Sequence, residues 1–154
     1  PGIRPGLSPD GRTLYVSDLG NRCVWSMDAA PGTDGGRQKL PKCFSGLPGY
    51  PGALAMEADG TLYISYRWAR SGWLERTPTA PCCGASPCGP VDIQKKLLQA
   101  ACERPCAEAV DIADGSWKQT FSGRELDGCT AVCPAGSKVY FGAAGSASLL
   151  SARV

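Results

Sequence analysis

Histidine is absent from the sequence, and asparagine occurs only once, at Asn21. Without histidine, these 154 residues cannot supply a Ser/His or Cys/His catalytic pair, and they cannot bind zinc through imidazole. No apolar run approaches the length of roughly 18 residues that predicts a membrane-spanning helix. We therefore expect neither histidine-dependent catalysis nor a membrane span within this sequence.

A dominant charge of either sign is also lacking. The sequence has 16 basic and 14 acidic residues, a formal net charge of +2, and no dense block of lysine and arginine. Proteins that bind nucleic acid or anionic membranes usually carry such a block. We therefore expect no nucleic acid among the partners of this protein.

Cysteine, in contrast, is abundant. A cytosolic domain rarely keeps so many thiols reduced, so the count favours an oxidising compartment and a secreted, extracellular or luminal protein. Because nine is an odd number, at least one thiol is left over or pairs outside this sequence. The disulfide candidates are Cys23, Cys43, Cys82, Cys83, Cys88, Cys102, Cys106, Cys129 and Cys133.

Three stretches share one pattern, a glycine-containing turn followed by alternating apolar residues around a central tyrosine. They are SPDGRTLYVSD (8–18), EADGTLYISY (57–66) and PAGSKVYFGA (134–143). The pattern is typical of a turn that leads into a strand. The interval between the second and third stretches is longer because it contains a Cys- and Pro-rich insertion, residues 68–106, in which 91–103 have the apolar spacing of a short helix.

Further short strands are predicted between these stretches, which gives three groups of up to four antiparallel strands. The sequence therefore predicts an all-β fold, namely a β-propeller segment of about three four-stranded blades with a partly helical insertion. The predicted blades are 1–51, 52–121 with the insertion, and a closing blade 122–154. A β-sandwich is the competing architecture. Because a three-blade piece has open edges, we expect the remaining blades of the propeller in residues outside this sequence.

The order of motifs resembles a known family. The motifs, in chain order, are LSPDGRTLYVSDLGNRCVW, LPGYP, GTLYISY, the insertion with RSGWLER and QKKLLQ, DGSWKQTFSG and KVYFGAAGSASLLSAR. The order is similar to that in the C-terminal half of strictosidine synthase-like propellers, which are related to gluconolactonase-type and NHL propellers. The resemblance implies a six-bladed propeller whose relatives are calcium-dependent lactonases or condensing enzymes. One fold hosts many activities, so function must be argued at the site.

The resemblance makes GLPGYPGALA (46–55) a metal-binding corner that has lost its ligands. Relatives follow LPGYP with Asp-Asn-Ile, and that Asp and Asn reach an axial cation; here the two positions hold Gly52 and Ala53. A further ligand Asn of the family corresponds to Ile3. Calcium needs six to eight oxygen ligands. We therefore expect no cofactor, with calcium as the alternative, and we interpret the Pro- and Gly-rich corner as a stiff turn.

The catalytic glutamate of strictosidine synthase corresponds, by the same resemblance, to Thr130. A hydroxyl without a neighbouring base cannot take up the proton that a carboxylate would accept. A gapped alignment could instead place Asp127 or Glu125 there, although GRELDG also has the composition of a polar turn. We therefore predict no catalytic residue, with Asp127 and Glu125 as the alternative.

The cysteine spacing allows two further expectations. Cys23 and Cys43 lie in strands joined by one loop, so a cross-link within this hairpin is the favoured pairing. If Cys129 and Cys133 share a strand, their side chains face the same side about 13 Å apart and cannot bond to each other. They would then seek partners elsewhere, such as in the insertion. Zinc held by four thiolates is disfavoured because the compact, paired C-x-x-C spacing of a zinc ribbon is missing.

The leading hypothesis is a non-catalytic, disulfide-stabilised extracellular propeller that acts as a scaffold or binding module for other extracellular proteins or glycans. The first alternative is an active strictosidine synthase-like enzyme or calcium-dependent lactonase or esterase, with most catalytic groups in the remaining blades. The second alternative is a covalently linked subunit of an extracellular filament or matrix.

Overall fold

The computed structural model of the chain describes residues 5–30, 42–69, 105–126, 128–143 and 148–154. The elements are eleven strands and one short 3₁₀ turn within these ranges. The strands are β1 Pro5–Leu7, β2 Thr13–Asp18, β3 Cys23–Asp28, β4 Lys42–Ser45, β5 Gly49–Met56, β6 Thr61–Ala69, β7 Ala107–Asp111, β8 Trp117–Phe121, β9 Cys129–Ala135, β10 Lys138–Ala143 and β11 Leu150–Arg153, and the 3₁₀ turn is Arg124–Leu126.

The strands form three antiparallel sheets in the order of the chain. The first sheet is β1-β2-β3-β4, the second is β5-β6-β7-β8, and the third is β9-β10-β11. Every strand pairs with its neighbour in sequence, so each sheet is a simple meander. The predicted all-β class is confirmed. The third sheet has three strands in the described ranges, against the four predicted, and the predicted helix 91–103 lies outside them.

The glycine turns seen in the sequence connect the first two strands of each sheet. Gly11 (φ 70°), Gly60 (φ 87°) and Gly136 (φ 62°) all adopt the left-handed conformation, which costs glycine little because it has no Cβ. In the first two turns an aspartate precedes the glycine, and its carboxylate accepts hydrogen bonds from the turn, such as Thr61 N–H to Asp59 Oδ1 at 2.9 Å. The three motifs therefore occupy equivalent positions in three similar sheets.

The second sheet is the middle layer, because apolar clusters cover both of its faces. Residues 61–66 of β6 are all buried, as expected for a strand packed on both sides. One face packs with the first sheet through Tyr15, Val24, Leu47, Leu54, Leu62, Ile64, Tyr66 and Val110. The other packs with the third sheet through Ala53, Tyr63, Ala107, Ala109, Phe121, Cys129, Val132, Val139 and Phe141.

The first strands of the three sheets lie side by side. β1 contacts β5, and β5 contacts β9. The β1–β5 approach is close: a Cβ on Gly6 would lie 3.0 Å from Leu54 Cβ, so only glycine fits there without a shift of the backbone. The sheets therefore meet along their first strands.

The interpretation of residues 46–52 as a turn was wrong. Gly46 (φ 71°) turns the chain, but Gly49–Met56 is strand β5, so the predicted blade boundary at residue 52 falls inside a strand. Pro51 is tolerated there because β5 is the edge strand of its sheet and pairs on one side only. The high proline and glycine content thus marks an irregular edge strand rather than a corner.

The expectation that Cys129 and Cys133 face the same side was also wrong. Both lie in β9, but Cys129 is buried and Cys133 is exposed. The partner of Ala131 is Gly142 and the partner of Cys129 is Ala143, so Thr130 is an extra residue in the ladder. Such a bulge reverses the alternation of side chains on either side of it.

Candidate functional site

The Gly52–Ala53 step of β5, the two positions discussed above for a metal, is a bulge held by two serines. Pro51 pairs with Tyr66, and Leu54 pairs with Ile64, so two residues of β5 oppose Ser65 alone. Ala53 N–H donates to Ser65 Oγ at 2.8 Å, and Ser65 Oγ lies 3.2 Å from Ala53 O, to which it can donate.

The carbonyl of Gly52 is held from the first sheet. Ser17 Oγ in β2 donates to Gly52 O at 2.9 Å, and Ser17 is fully buried. The bulge therefore uses one serine from each of two sheets to satisfy backbone groups that the β5–β6 ladder leaves without partners.

Little room remains at this bulge for a side chain. A Cβ on Gly52 would lie 3.2 Å from Ser65 Oγ and 3.7 Å from Cys129 O. Gly52 and Ala53 have no side-chain oxygen. Their backbone carbonyl oxygens lie next to the hydroxyls of Ser17 and Ser65, respectively. The third position from the resemblance, Ile3, lies outside the described residues. Among those described, no group of three or more His, Cys, Asp or Glu side chains could hold a metal ion.

A buried acid that the sequence analysis did not single out lies on the face of the second sheet that packs against the first sheet. Glu108 in β7 is 8% exposed, and its Oε2 accepts a short hydrogen bond from the Tyr66 hydroxyl. Glu108 pairs with Ile64 of β6, and it alternates in phase with Val110, which packs against the first sheet. That phase was the available signal, because a glutamate in step with apolar core positions of a strand is unusual.

Burial sets the protonation of this pair. Desolvation raises the pKa of Glu108, and the hydrogen bond from Tyr66 opposes part of that rise. Desolvation and the carboxyl of Glu108 together raise the pKa of Tyr66. A carboxyl that holds its proton above its usual range can act as a general acid.

The turn between β2 and β3 is fixed by Asp18. Its carboxylate accepts hydrogen bonds from Asn21 N–H at 3.0 Å, Asn21 Nδ2 at 2.8 Å and Trp25 Nε1 at 3.1 Å. Burial raises the pKa of Asp18, but these hydrogen bonds outweigh that effect and lower it. The turn explains how Arg22 is held at a φ of 49°, and Asn21 serves here as a turn residue.

Of the two alternative catalytic residues, only Glu125 is among the described residues. Glu125 is exposed on the 3₁₀ turn, and Asp127 lies outside the described residues. Thr130 Oγ1 donates to Gly142 O at 3.3 Å within the β9 bulge, where it stabilises the irregular pairing. Glu125 lines a groove of about 230 Å³ that Thr130 does not reach; the lining residues are Ser122, Glu125, Leu126, Phe141, Leu150, Ser151 and Ala152.

Lys118 forms the main ion cluster of the second sheet. Its Nζ lies 3.0 Å from Asp111 Oδ2 and 3.5 Å from Asp59 Oδ2, and it donates to Thr61 Oγ1 at 2.7 Å. The hydrogen bond that Lys118 donates to Asp111 is the largest cause of a raised pKa for Lys118. The cluster joins β8 to the β5–β6 turn and to the end of β7. The ammonium group of Lys118 is thus paired with the carboxylates of Asp59 and Asp111.

Five of the nine cysteines lie in the described residues. The predicted Cys23–Cys43 cross-link is not formed: Cys43 carries a free thiol, and the Cα partner of Cys23 is Ser45. A register shift between Val24 and Trp25 displaces Cys43 from the position opposite Cys23. The remaining candidates, Cys82, Cys83, Cys88 and Cys102, lie outside the described residues.

Three comparisons with known proteins were made for this chain. No family model, no curated protein and no solved structure matches this chain. Within the described ranges, no helix combines the length and apolar character needed to cross a membrane. The functional argument therefore depends on the residues of the chain itself.

Proposed function

We propose that this chain contributes consecutive blades of a β-propeller and serves as an extracellular scaffold or binding module, without catalysis at the position where its relatives hold a cation. Three antiparallel meanders follow one another in the chain, each with a turn of the same type between its first two strands. Their first strands lie side by side, which supports a proposal of blades around an axis. The remaining blades would come from other parts of the same polypeptide.

The observation that carries the loss of catalysis is the Gly52–Ala53 bulge. Calcium affinity depends on the number of oxygen ligands and on their charge. Here two ligand positions hold residues without side-chain oxygens, and Ser17 and Ser65 engage the adjacent carbonyls. The cost of freeing these buried groups, about 1–3 kcal/mol for each hydrogen bond left unmade, would act against metal binding at this position.

The nine cysteines support the proposed extracellular location, because such a count is typical of an oxidising compartment. Partners of a propeller without a catalytic site would be other extracellular proteins or glycans.

The test compares the full-length protein with a variant in which the family's ligand pair is restored, Gly52→Asp with Ala53→Asn. Hydrolysis of a panel of lactones and aryl esters is measured with calcium and with a chelator, and a variant with an exposed substitution, Ala113→Asp, is the matched control. We expect no calcium-dependent turnover by the natural protein or by the control. Saturable turnover by the natural protein that the chelator abolishes would overturn the proposal.

A second candidate function is favoured by one specific observation, the buried Glu108–Tyr66 pair. In this alternative the full-length protein is an enzyme, and Glu108 is its general acid, with Tyr66 orienting the carboxyl. The pair lies where the strands that flank residues 70–104 come together. Turnover by the natural protein that is lost in a normally folded Glu108→Gln variant would favour this alternative. The absence of turnover in both the natural protein and the variant would exclude it.

A further inference from the structure

Asn21 begins the tripeptide Asn21-Arg22-Cys23, which has the form of an acceptor site for an N-linked glycan. In the common form of this site the third residue is serine or threonine, and the second is any residue except proline. Cysteine can take the third position because its thiol, like a hydroxyl, both donates and accepts a hydrogen bond, although more weakly. The proposed function does not use this tripeptide.

The structure places Asn21 where a glycan can be accommodated. Asn21 lies in the turn between β2 and β3, and it is exposed. A glycan is bulky and hydrophilic, so its asparagine must stay at the surface of the folded protein. The next residue, Arg22, folds back onto the chain, because its guanidinium donates to Leu47 O at 3.3 Å. The turn can therefore carry a sugar without any unpacking of the first sheet.

The side-chain amide of Asn21 can be modified without loss of the turn. The backbone N–H of Asn21 donates to Asp18 Oδ1 at 3.0 Å, and this bond does not involve the side chain. Asn21 Nδ2 donates to Asp18 Oδ2 at 2.8 Å. An amide nitrogen carries two hydrogens, and glycosylation replaces only one of them. The hydrogen that remains can keep the bond to Asp18.

The third residue of the tripeptide sets the order of events. Cys23 is 0% exposed in the folded protein, because it lies in β3 between Asp18 of β2 and Ser45 of β4. An enzyme that must contact the third residue cannot reach it there. N-linked glycans are transferred while a chain enters the secretory pathway, before its strands pair. Transfer to Asn21 therefore precedes the folding of the first sheet.

We propose that Asn21 carries an N-linked glycan in the secreted protein. This inference rests on the extracellular location that is part of the proposed function. The donor is an oligosaccharide attached to a lipid through a diphosphate. Asn21 Nδ2 forms a bond to the anomeric carbon of the first sugar, and the bond between that carbon and the diphosphate oxygen breaks. Its electron pair leaves with the lipid diphosphate, and the Nδ2 proton passes to a base of the transferring enzyme.

The test uses the full-length protein, made in eukaryotic cells in its natural form and also with an added secretory signal. An amidase removes the glycans in water labelled with heavy oxygen, which converts a glycosylated asparagine to labelled aspartate; a sample without amidase corrects for spontaneous deamidation. Trypsin then cleaves after Arg12 and Arg22 and releases the peptide 13–22. Because Cys23 lies outside this peptide, the same peptide reports the occupancy of Asn21 in Cys23→Thr and Cys23→Ala.

We expect partial labelling in the natural protein, because a thiol forms weaker hydrogen bonds than a hydroxyl. Labelling should rise several-fold in Cys23→Thr and be lost in Cys23→Ala. Cells and medium are both analysed, so that variants that fail to fold are counted. An unlabelled peptide in the form with the added signal, or equal labelling in Cys23→Ala, would overturn the site. Labelling of that form alone, with the natural protein retained in the cytosol, would instead overturn the extracellular location and with it a glycan on the natural protein.

Discussion

The buried Glu108–Tyr66 pair leads to a prediction about the pH dependence of stability. The folded carboxyl has a pKa raised above the ordinary value of 4.5 because burial disfavours its charged form. The folded state therefore keeps the proton to a higher pH than the unfolded state does. By linkage, this carboxyl contributes most stability below pH 4.5, and that contribution is lost as the pH rises towards the raised folded value.

Two substitutions separate the charge from the hydrogen bond. Glu108→Gln keeps the size and an oxygen acceptor but removes the ionisation, so the free energy of unfolding of this variant should lack that loss above pH 4.5. Tyr66→Phe removes the donor and leaves the carboxyl buried without it. It should cost about 1.5–3 kcal/mol when the carboxyl is charged and about 0.5–1.5 kcal/mol when it is protonated.

The measurement is urea-induced unfolding between pH 4 and pH 9, with Glu125→Gln as the matched control because Glu125 is exposed. A double-mutant cycle between residues 66 and 108 should give a coupling energy within the range of about 0.5–3 kcal/mol found for residues in contact. Additive effects, or parallel pH profiles for the natural protein and Glu108→Gln, would refute the reasoning.

Three further predictions concern other residues. Ser65→Ala should lower the free energy of unfolding by about 1–3 kcal/mol, because the buried Ala53 N–H loses its acceptor. A decrease in the free energy of unfolding of less than about 0.5 kcal/mol, measured by urea unfolding, would contradict this role. Gly60→Ala should cost about 1 kcal/mol, since its φ of 87° is strained for alanine although the space around it is open; an unchanged midpoint would exclude strain. Lys118→Met should cost less than about 1 kcal/mol, and the cost should shrink in high salt because the partner Asp111 is partly exposed; a large, salt-independent loss would contradict a surface ion pair.

The parts of the fold that could be predicted from sequence are those set by local chemistry. An Asp-Gly turn followed by alternating apolar residues specifies a hairpin almost without its surroundings, and the turns at Gly11 and Gly60 lie where the pattern placed them. The same local rules gave the wrong structure for residues 49–52. There, tertiary packing against β1 and β9 outweighs the turn preference of proline and glycine.

The site was harder to predict because it depends on pairing between distant residues. One extra residue in β9, Thr130, changes which side Cys129 faces, and no local signal marks that bulge. Ser17 and Ser65 are 48 positions apart in the sequence and look like ordinary strand serines until the sheets bring them to the same bulge. Glu108 could have been identified from its phase in β7, but its partner Tyr66 could not, since residues 70–104 separate their strands.

The central proposal is that the Gly52–Ala53 position does not bind a catalytic cation. Calorimetric titration of the full-length protein with calcium, alongside the Ser65→Ala variant as a probe of the same bulge, tests it most directly. The account predicts no calcium binding at this position, so that any heat observed is the same in both proteins. Saturable binding in the natural protein that is weakened in Ser65→Ala, together with lactone hydrolysis that requires the metal, would contradict it.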